Sequence, residues 1–300
     1  MTAPATHPPK AAGSHVFRQG PCIWTLMSVG FGAMLPKSKK PMETPGPEIS
    51  KTIAPLASSL LSDYVAWTGG GPEAYDGFVP PHLFPQWGFP PMAVALTSAP
   101  WPMTKILNQG CRLEVHGRLP ADQPLSVKTF VSAIQEEEHK ARITTRIITG
   151  TADQPELLTA DVHAVVPLAK KKGGGKREAP TIPSEATEIG RVQLPARAGL
   201  DFALLTGDFN PIHWISPYAK MAGFKNTILH GFASMALSWE AIVRERLDGD
   251  VTRMKAMDVR FVRPQILPGE VSICIGDDGS VGLGAGPGER ATMLGTYETT

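Results

Sequence analysis

Asp208, His213 and Gly231 are the residues whose types and spacing can do chemistry. They stand in Leu205-Thr-Gly-Asp-Phe-Asn-Pro-Ile-His213 and in Ile228-Leu-His-Gly-Phe232. Asn210-Pro211 favours an extended or turn conformation, because the residue before proline is pushed out of the helical region. Asp208 and His213 therefore bracket a loop. A rigid loop can aim a carboxylate and an imidazole at one point, as a general acid/base pair requires. Gly231 opens a long amphipathic segment. A free N–H at a helix start, with no side chain to block approach, can receive a developing negative oxygen.

The elements that must position these residues follow from the surrounding pattern. Residues 188–194 read as a short strand and 198–205 as a short helix. Pro217 to Gly223 reads as a small helix with proline early, where its missing N–H costs least. From Phe232, apolar residues recur at Met235, Ala236, Trp239, Ile242 and Val243, the spacing of a helix with one buried face. Leu247-Asp-Gly249 ends it. Strand-like runs follow at 256–262, 271–275, 281–285 and 291–297, separated by Gly/Pro turns. A long helix followed by antiparallel strands suggests a sheet wrapped around the helix.

The same layout occurs twice, offset by about 140 residues. Glu48-Ile-Ser-Lys51 is echoed by Glu188-Ile-Gly-Arg191, and Asp63-Tyr-Val-Ala-Trp-Thr-Gly69 by Asp201-Phe-Ala-Leu-Leu-Thr-Gly207. Gly88-Phe89 is echoed by Gly231-Phe232, and Leu113-Glu-Val by Met257-Asp-Val. The first copy ends in strand-like runs at 112–115, 126–134, 141–149 and 157–166. Aligning Gly69 with Gly207 puts Gly70 at the place of Asp208 and Tyr75 near that of His213, so the first copy lacks the acid/base pair. Five prolines from Pro80 to Pro91 are expected to break or kink its central helix. Phe78, Phe84, Trp87 and Phe89 would line the gap.

The expected organisation is an N-terminal extension at 1–46, a degenerate repeat at 47–168, a basic Gly-rich linker at 169–182 and a catalytic repeat at 183–300. Residues 1 to about 16 are Ala-, Pro- and Thr-rich and are expected to be disordered. No apolar run reaches the roughly 18 residues of a membrane span. The nearest, Pro21 to Pro36, is interrupted by Ser28, Gly30 and Gly32. It reads as a peripheral helix or edge strand, with a signal-peptide core as the rival. Net charge of +1 gives no argument for nucleic acid or an anionic membrane. Three widely spaced cysteines argue against a disulfide scaffold and fit a reducing, cytoplasmic setting.

Gly207-Asp208-Phe209-Asn210-Pro211-Ile212-His213 followed by His230-Gly231 resembles the MaoC-like, R-specific enoyl-CoA hydratase family. Arg260-Phe-Val-Arg-Pro264 and Leu267-Pro-Gly269 resemble that family's strand after the long helix. The doubled layout resembles its two-repeat members. The resemblance implies an α+β double hot-dog, two sheet-around-helix repeats forming one continuous sheet. It implies reversible hydration of a 2-enoyl thioester, on CoA or an acyl carrier protein, with no metal and no organic cofactor. Asp208 and His213 would activate water and Gly231 N–H would hold the thioester oxygen. Asn210, Ser234, Arg260 and Arg263 are the candidates for substrate contact, the arginines for the CoA phosphates. Homodimerisation stays open.

Each of these residues has a plainer role. Asp208 can close an Asx turn, Asn210 can brace the loop, His230 can pack or cap the helix, and Ser234 can bond its own helix. Asp208, His213 and His230 can bind a metal, but no compact ligand spacing supports that. Arg260 and Arg263 can be a solvated strand edge, and Lys170-Lys-Lys-Gly-Gly-Gly-Lys-Arg177 a solvated linker. A non-catalytic acyl-thioester-binding subunit and a hot-dog thioesterase are the rival functions.

Overall fold

In the computed structural model, which describes residues 6–25, 42–71, 73–168 and 178–300, ten strands form one antiparallel sheet. The first half of the chain supplies β1 (Ile49–Ile53), the short β2 (Phe78–Val79), β3 (Leu107–Val115), the short β4 (Leu119–Pro120), β5 (Leu125–Glu137), β6 (Lys140–Gly150) and β7 (Leu158–Pro167). The second half supplies β8 (Thr187–Leu194), β9 (Met254–Phe261), β10 (Gly269–Ile275), β11 (Ser280–Gly284) and β12 (Ala291–Thr299). The order across the sheet is β1-β5-β6-β7-β3-β9-β12-β11-β10-β8, with β2 and β4 paired apart from it. Outward from the centre the first half reads β3, β7, β6, β5, β1 and the second β9, β12, β11, β10, β8. The two halves thus share one connectivity and meet where β3 pairs with β9, in register from Gly110 opposite Arg260 to Glu114 opposite Ala256.

Besides a helical stretch at 20–25, five α-helices among the described residues accompany the sheet: α1 (Ser58–Thr68), α2 (Pro85–Leu96), α3 (Ala198–Thr206), α4 (Ser216–Met221) and α5 (Gly231–Arg246). The halves repeat in detail at α1 and α3. Each ends on a left-handed glycine, Gly69 and Gly207, both at φ +82°. Only glycine reaches that conformation without cost, and it turns the chain sharply off the helix end. The central helix α5 is buried on every side from Phe232 to Val243, not on one face as its spacing suggested. The sheet strands β8, β9, β11 and β12 cover one side, while α1 and the 310 turn Pro81–Leu83 close another.

Helix α2 contradicts the expectation of a broken element. It runs unbroken over twelve residues with Pro90 and Pro91 inside it. Pro85 sits at its first turn, where no N–H is needed. The helix starts at Pro85, three residues before the Gly88 that the repeat aligned with Gly231. The two interior prolines remove N–H donors to the carbonyls of Gln86 and Trp87. Packing offsets that cost. Trp87 is buried and its Nε1–H donates to Thr149 Oγ1 at 3.0 Å. Gly88 lets Ile147 approach so closely that a Cβ would meet it at 2.9 Å.

Residues 6–16, expected to be disordered, are packed against the second half. Thr6 extends the exposed edge of β8, exchanging 2.9 Å bonds with Arg191 and Gln193. Ala11, His15, Gln19 and Cys22 are buried. Composition misses this, because the buried residues are few, half of them polar, and spaced three or four apart. The basic run at 170–177 lies outside the described residues. Within the expected linker, Ile182 is buried and its N–H bonds Glu289 O at 2.9 Å. Among the described residues no helix is long and apolar enough to cross a membrane.

Candidate active site

The loop after α3 carries Asp208, and α3 fixes where it starts. A Cβ on Gly199 would overlap the His213 carbonyl, so helix and loop are in direct contact. Asp201, buried within α3, accepts from Arg197 at 2.6–2.9 Å and from the Ala11 N–H at 3.1 Å. Asp208 Oδ1 closes an Asx turn with the Asn210 N–H at 3.2 Å. Asn210 Oδ1 then caps the 310 turn Pro211–His213 by accepting from Ile212 N–H at 3.4 Å. The plainer role of Asn210 is therefore the observed one, and its side chain is exposed.

His213 is buried, and its Nδ1–H donates to Ile228 O at 2.8 Å. That bond fixes the tautomer and leaves Nε2 bare. Burial pushes its pKa below the usual histidine value, against the pull of Asp208 and of the Ile228 carbonyl. His230 stacks on His213 with centroids 3.6 Å apart. Its Nε2–H donates to the Asp208 backbone carbonyl at 3.0 Å. Its pKa lies well below the usual value, from burial first and then from His213. His230 thus does more than pack a helix start. It holds the Asp208 peptide against α5, and the His-Gly dipeptide was its signal in the sequence.

Gly231 is the first residue of α5. Ala233 and Ser234 N–H both turn back to His230 O, whereas no backbone acceptor takes the Gly231 N–H among the described residues. A Cβ on Gly231 would meet the Phe261 ring at 2.5 Å. Ser234, buried, lies one turn further on. Arg260 is not brought here. Its neighbours Val259 and Phe261 face the helices, so by strand alternation Arg260 points off the opposite face of the sheet. Arg263 is exposed on the segment leading to Gln265, whose carbonyl accepts Leu229 N–H at 2.8 Å beside the start of α5.

Asp208, His213 and His230 offer donor atoms within 4.8 Å of one another. The fold makes this cluster, which sequence spacing did not suggest. The two rings are stacked 22° from parallel, so their lone pairs run side by side and do not converge on one ion, and His230 Nε2 is already committed. The set suits proton transfer better than metal ligation.

A cavity of about 870 Å³, its open mouth included, begins at Gly207 and Asp208. It runs into the first half between Phe89, Met92, Ala93 and Leu96 of α2 and Thr145, Val162 and Ala164 of the sheet. The expectation for the aromatics holds for Phe89 alone. Phe84 and Trp87 are in the core, and Phe78 lies under the Arg118 guanidinium, 4.7 Å from its ring. Where the first half would carry its own acid/base pair, the space is filled. Glu240 from α5 accepts from Tyr75 Oη at 2.7 Å and bonds His82 Nε2 at 2.8 Å. A Cβ on Gly70 would meet its carboxylate at 2.8 Å.

Residues 185–275 match the family described as MaoC like domain. The second half of the chain carries a MaoC-like domain. Over 177 residues the chain is 34% identical to 3-hydroxyacyl-thioester dehydratase Y of Mycobacterium tuberculosis, covering 54% of this chain and 58% of that protein. Over 69 residues it is 39% identical to the peroxisomal enoyl-CoA hydratase 2 of Arabidopsis thaliana, covering 23% of this chain and 22% of that one. The match thus spans little more than half of one relative and under a quarter of the other. The crystal structure of M. tuberculosis HtdX superposes with a TM-score of 0.68 at 16% identity, over 85% of this chain and 100% of that one. A second M. tuberculosis protein, whose structure is described as a double hot-dog, superposes with a TM-score of 0.51 at 12% identity, over 86% and 97%. The MaoC-like domain therefore sits in a double hot-dog fold.

Proposed function

We propose that this chain catalyses the reversible hydration of a 2-enoyl-CoA to the (R)-3-hydroxyacyl-CoA. The observation that carries this is Asp208 at the mouth of an apolar cavity, with donor atoms of His213 and His230 within 4.8 Å of it and Gly231 next in the chain to His230 at the start of α5. One water is held between the Asp208 carboxylate and the bare Nε2 of His213. The pair takes a proton from it as its oxygen attacks the β-carbon, and returns a proton to the α-carbon. The two groups act as one titrating unit. A histidine kept neutral by burial is available as a base at neutral pH. The Gly231 N–H, at the positive end of α5, stabilises the thioester oxygen as the enolate forms.

The cavity takes the acyl tail. We divide the chain into an N-terminal extension to residue 46, a non-catalytic repeat at 47–168, a linker at 169–182 and a catalytic repeat at 183–300. The Tyr75–His82–Glu240 cluster supports one active site per chain. In this reading Ser234 contacts the thioester end and Arg263 the CoA phosphates, while Asn210 shapes the loop. Three free, buried cysteines fit a reducing compartment such as the cytoplasm. The test is hydration of 2-enoyl-CoAs by the purified protein, followed by loss of enoyl absorbance and by product stereochemistry. No turnover at any chain length overturns the reading.

A further inference from the structure

The N-terminal segment is attached to both halves of the molecule at the point where the cavity meets the Asp208 loop. Gln19 is buried, and its Nε2–H donates to Leu204 O at 2.9 Å, in the last turn of α3. Cys22 packs against Gly207 so closely that a Cβ there would meet Sγ at 2.5 Å. On its other side the Cys22 thiol donates to Gln86 O at 3.4 Å. That carbonyl is the one left without its helical donor by Pro90. The thiol therefore replaces a lost helix bond in α2 while touching the residue before Asp208. Burial, then the charge of Asp208, pushes the thiol up to about 12, so it stays protonated and a donor. Cys22 and Thr25 both line the cavity, opposite Phe89, Pro90 and Ala93. Further bonds hold the segment down, from His15 Nε2 to Asp63 at 2.7 Å and from Ala11 N–H to Asp201.

We propose that Cys22 and Thr25 of the N-terminal segment form a built-in wall of the substrate site and set how long an acyl chain it accepts. This rests on the hydratase reading for the identity of the tail, though not for the existence of the wall. Side chains that shorten the cavity from this wall remove contacts from long tails and leave short ones less affected. Each methylene lost from an apolar site lowers affinity about fourfold.

The test uses full-length wild type, Thr25→Trp, Cys22→Leu and the control Trp24→Ser, whose side chain is 72% exposed. Thr25 is only half-buried, so its variant keeps the test alive if Cys22→Leu fails to fold. Binding of saturated butanoyl-CoA and dodecanoyl-CoA is measured by calorimetry, which needs no turnover. Hydration of the matching four- and twelve-carbon 2-enoyl-CoAs is measured in parallel. The twelve-to-four-carbon affinity ratio is expected to fall more than tenfold in Thr25→Trp and to stay within twofold in Trp24→Ser. A ratio that does not move in folded Thr25→Trp overturns the proposal. A ratio that moves in a protein that hydrates nothing keeps the wall and discards the hydratase.

Discussion

Replacing Gly231 by alanine tests the oxyanion site without deleting its donor, because alanine keeps the N–H. The added Cβ would stand 2.5 Å from Cδ2 and Cε2 of Phe261, about an ångström inside ordinary contact. Phe261 is held edge-on against Phe232, with centroids 5.8 Å apart, so the start of α5 must yield at least in part. A displacement of roughly 1 Å at a reacting geometry costs on the order of 100-fold. Complete loss of such a donor costs about 3–4 kcal/mol. Gly231→Ala is therefore expected to lower kcat on crotonyl-CoA by roughly 100-fold with little change in KM. Circular dichroism should stay native. Phe261→Ala in the same chain makes room for the Cβ and should recover most of the loss. A single variant that keeps more than about a tenth of kcat would refute the displacement of the helix start by the added Cβ. A double variant that recovers nothing would refute the steric route.

Ala93→Trp, which fills the cavity from α2, should lower kcat/KM for a twelve-carbon enoyl-CoA more than about tenfold relative to the four-carbon one. Ala95 faces the separate cluster around Val131 and Ile143, so Ala95→Trp should instead lower Tm, as overpacking does at about 1–3 kcal/mol. His213 and His230 both have native pKa values below the unfolded value of about 6.5. Between those values the unfolded chain binds the extra protons. Their stabilisation is therefore present above about pH 6.5 and is lost as pH falls through the depressed native values. Urea unfolding from pH 7 to pH 5 should show a falling stability, with a shallower slope in His230→Gln. An equal slope in that variant would count against the buried neutral imidazole.

The loop of the candidate site was legible because it is local. Asp208, Asn210, Pro211 and His213 lie within six residues, and the proline dictates a loop whatever surrounds it. The strands were legible from alternation and turns, and the repeat from matched words such as the two glycines at φ +82°. Contacts made across long sequence distances were not. Nothing in the N-terminal composition says that Cys22 will meet Gln86, 64 residues away. Nothing around Glu240, in the buried stretch of α5 from Phe232 to Val243, says that Tyr75 and His82 will bond it. Proline counting misjudged α2, because propensity gives the cost of Pro90 and Pro91 but not the packing that offsets it. Arg260 was assigned from resemblance, while strand alternation alone would have placed it off the site face.

The proposed hydratase activity depends on Asp208 and His213 as its acid/base pair. Its direct measurement is the initial rate of crotonyl-CoA and longer 2-enoyl-CoA hydration by wild type, Asp208→Asn and His213→Ala, with the chirality of the product determined. The expected result is (R)-3-hydroxyacyl-CoA from wild type and a loss of at least about 100-fold in each variant, with native circular dichroism. Wild type that hydrates no 2-enoyl-CoA, or either variant retaining more than about a tenth of the rate, would contradict it.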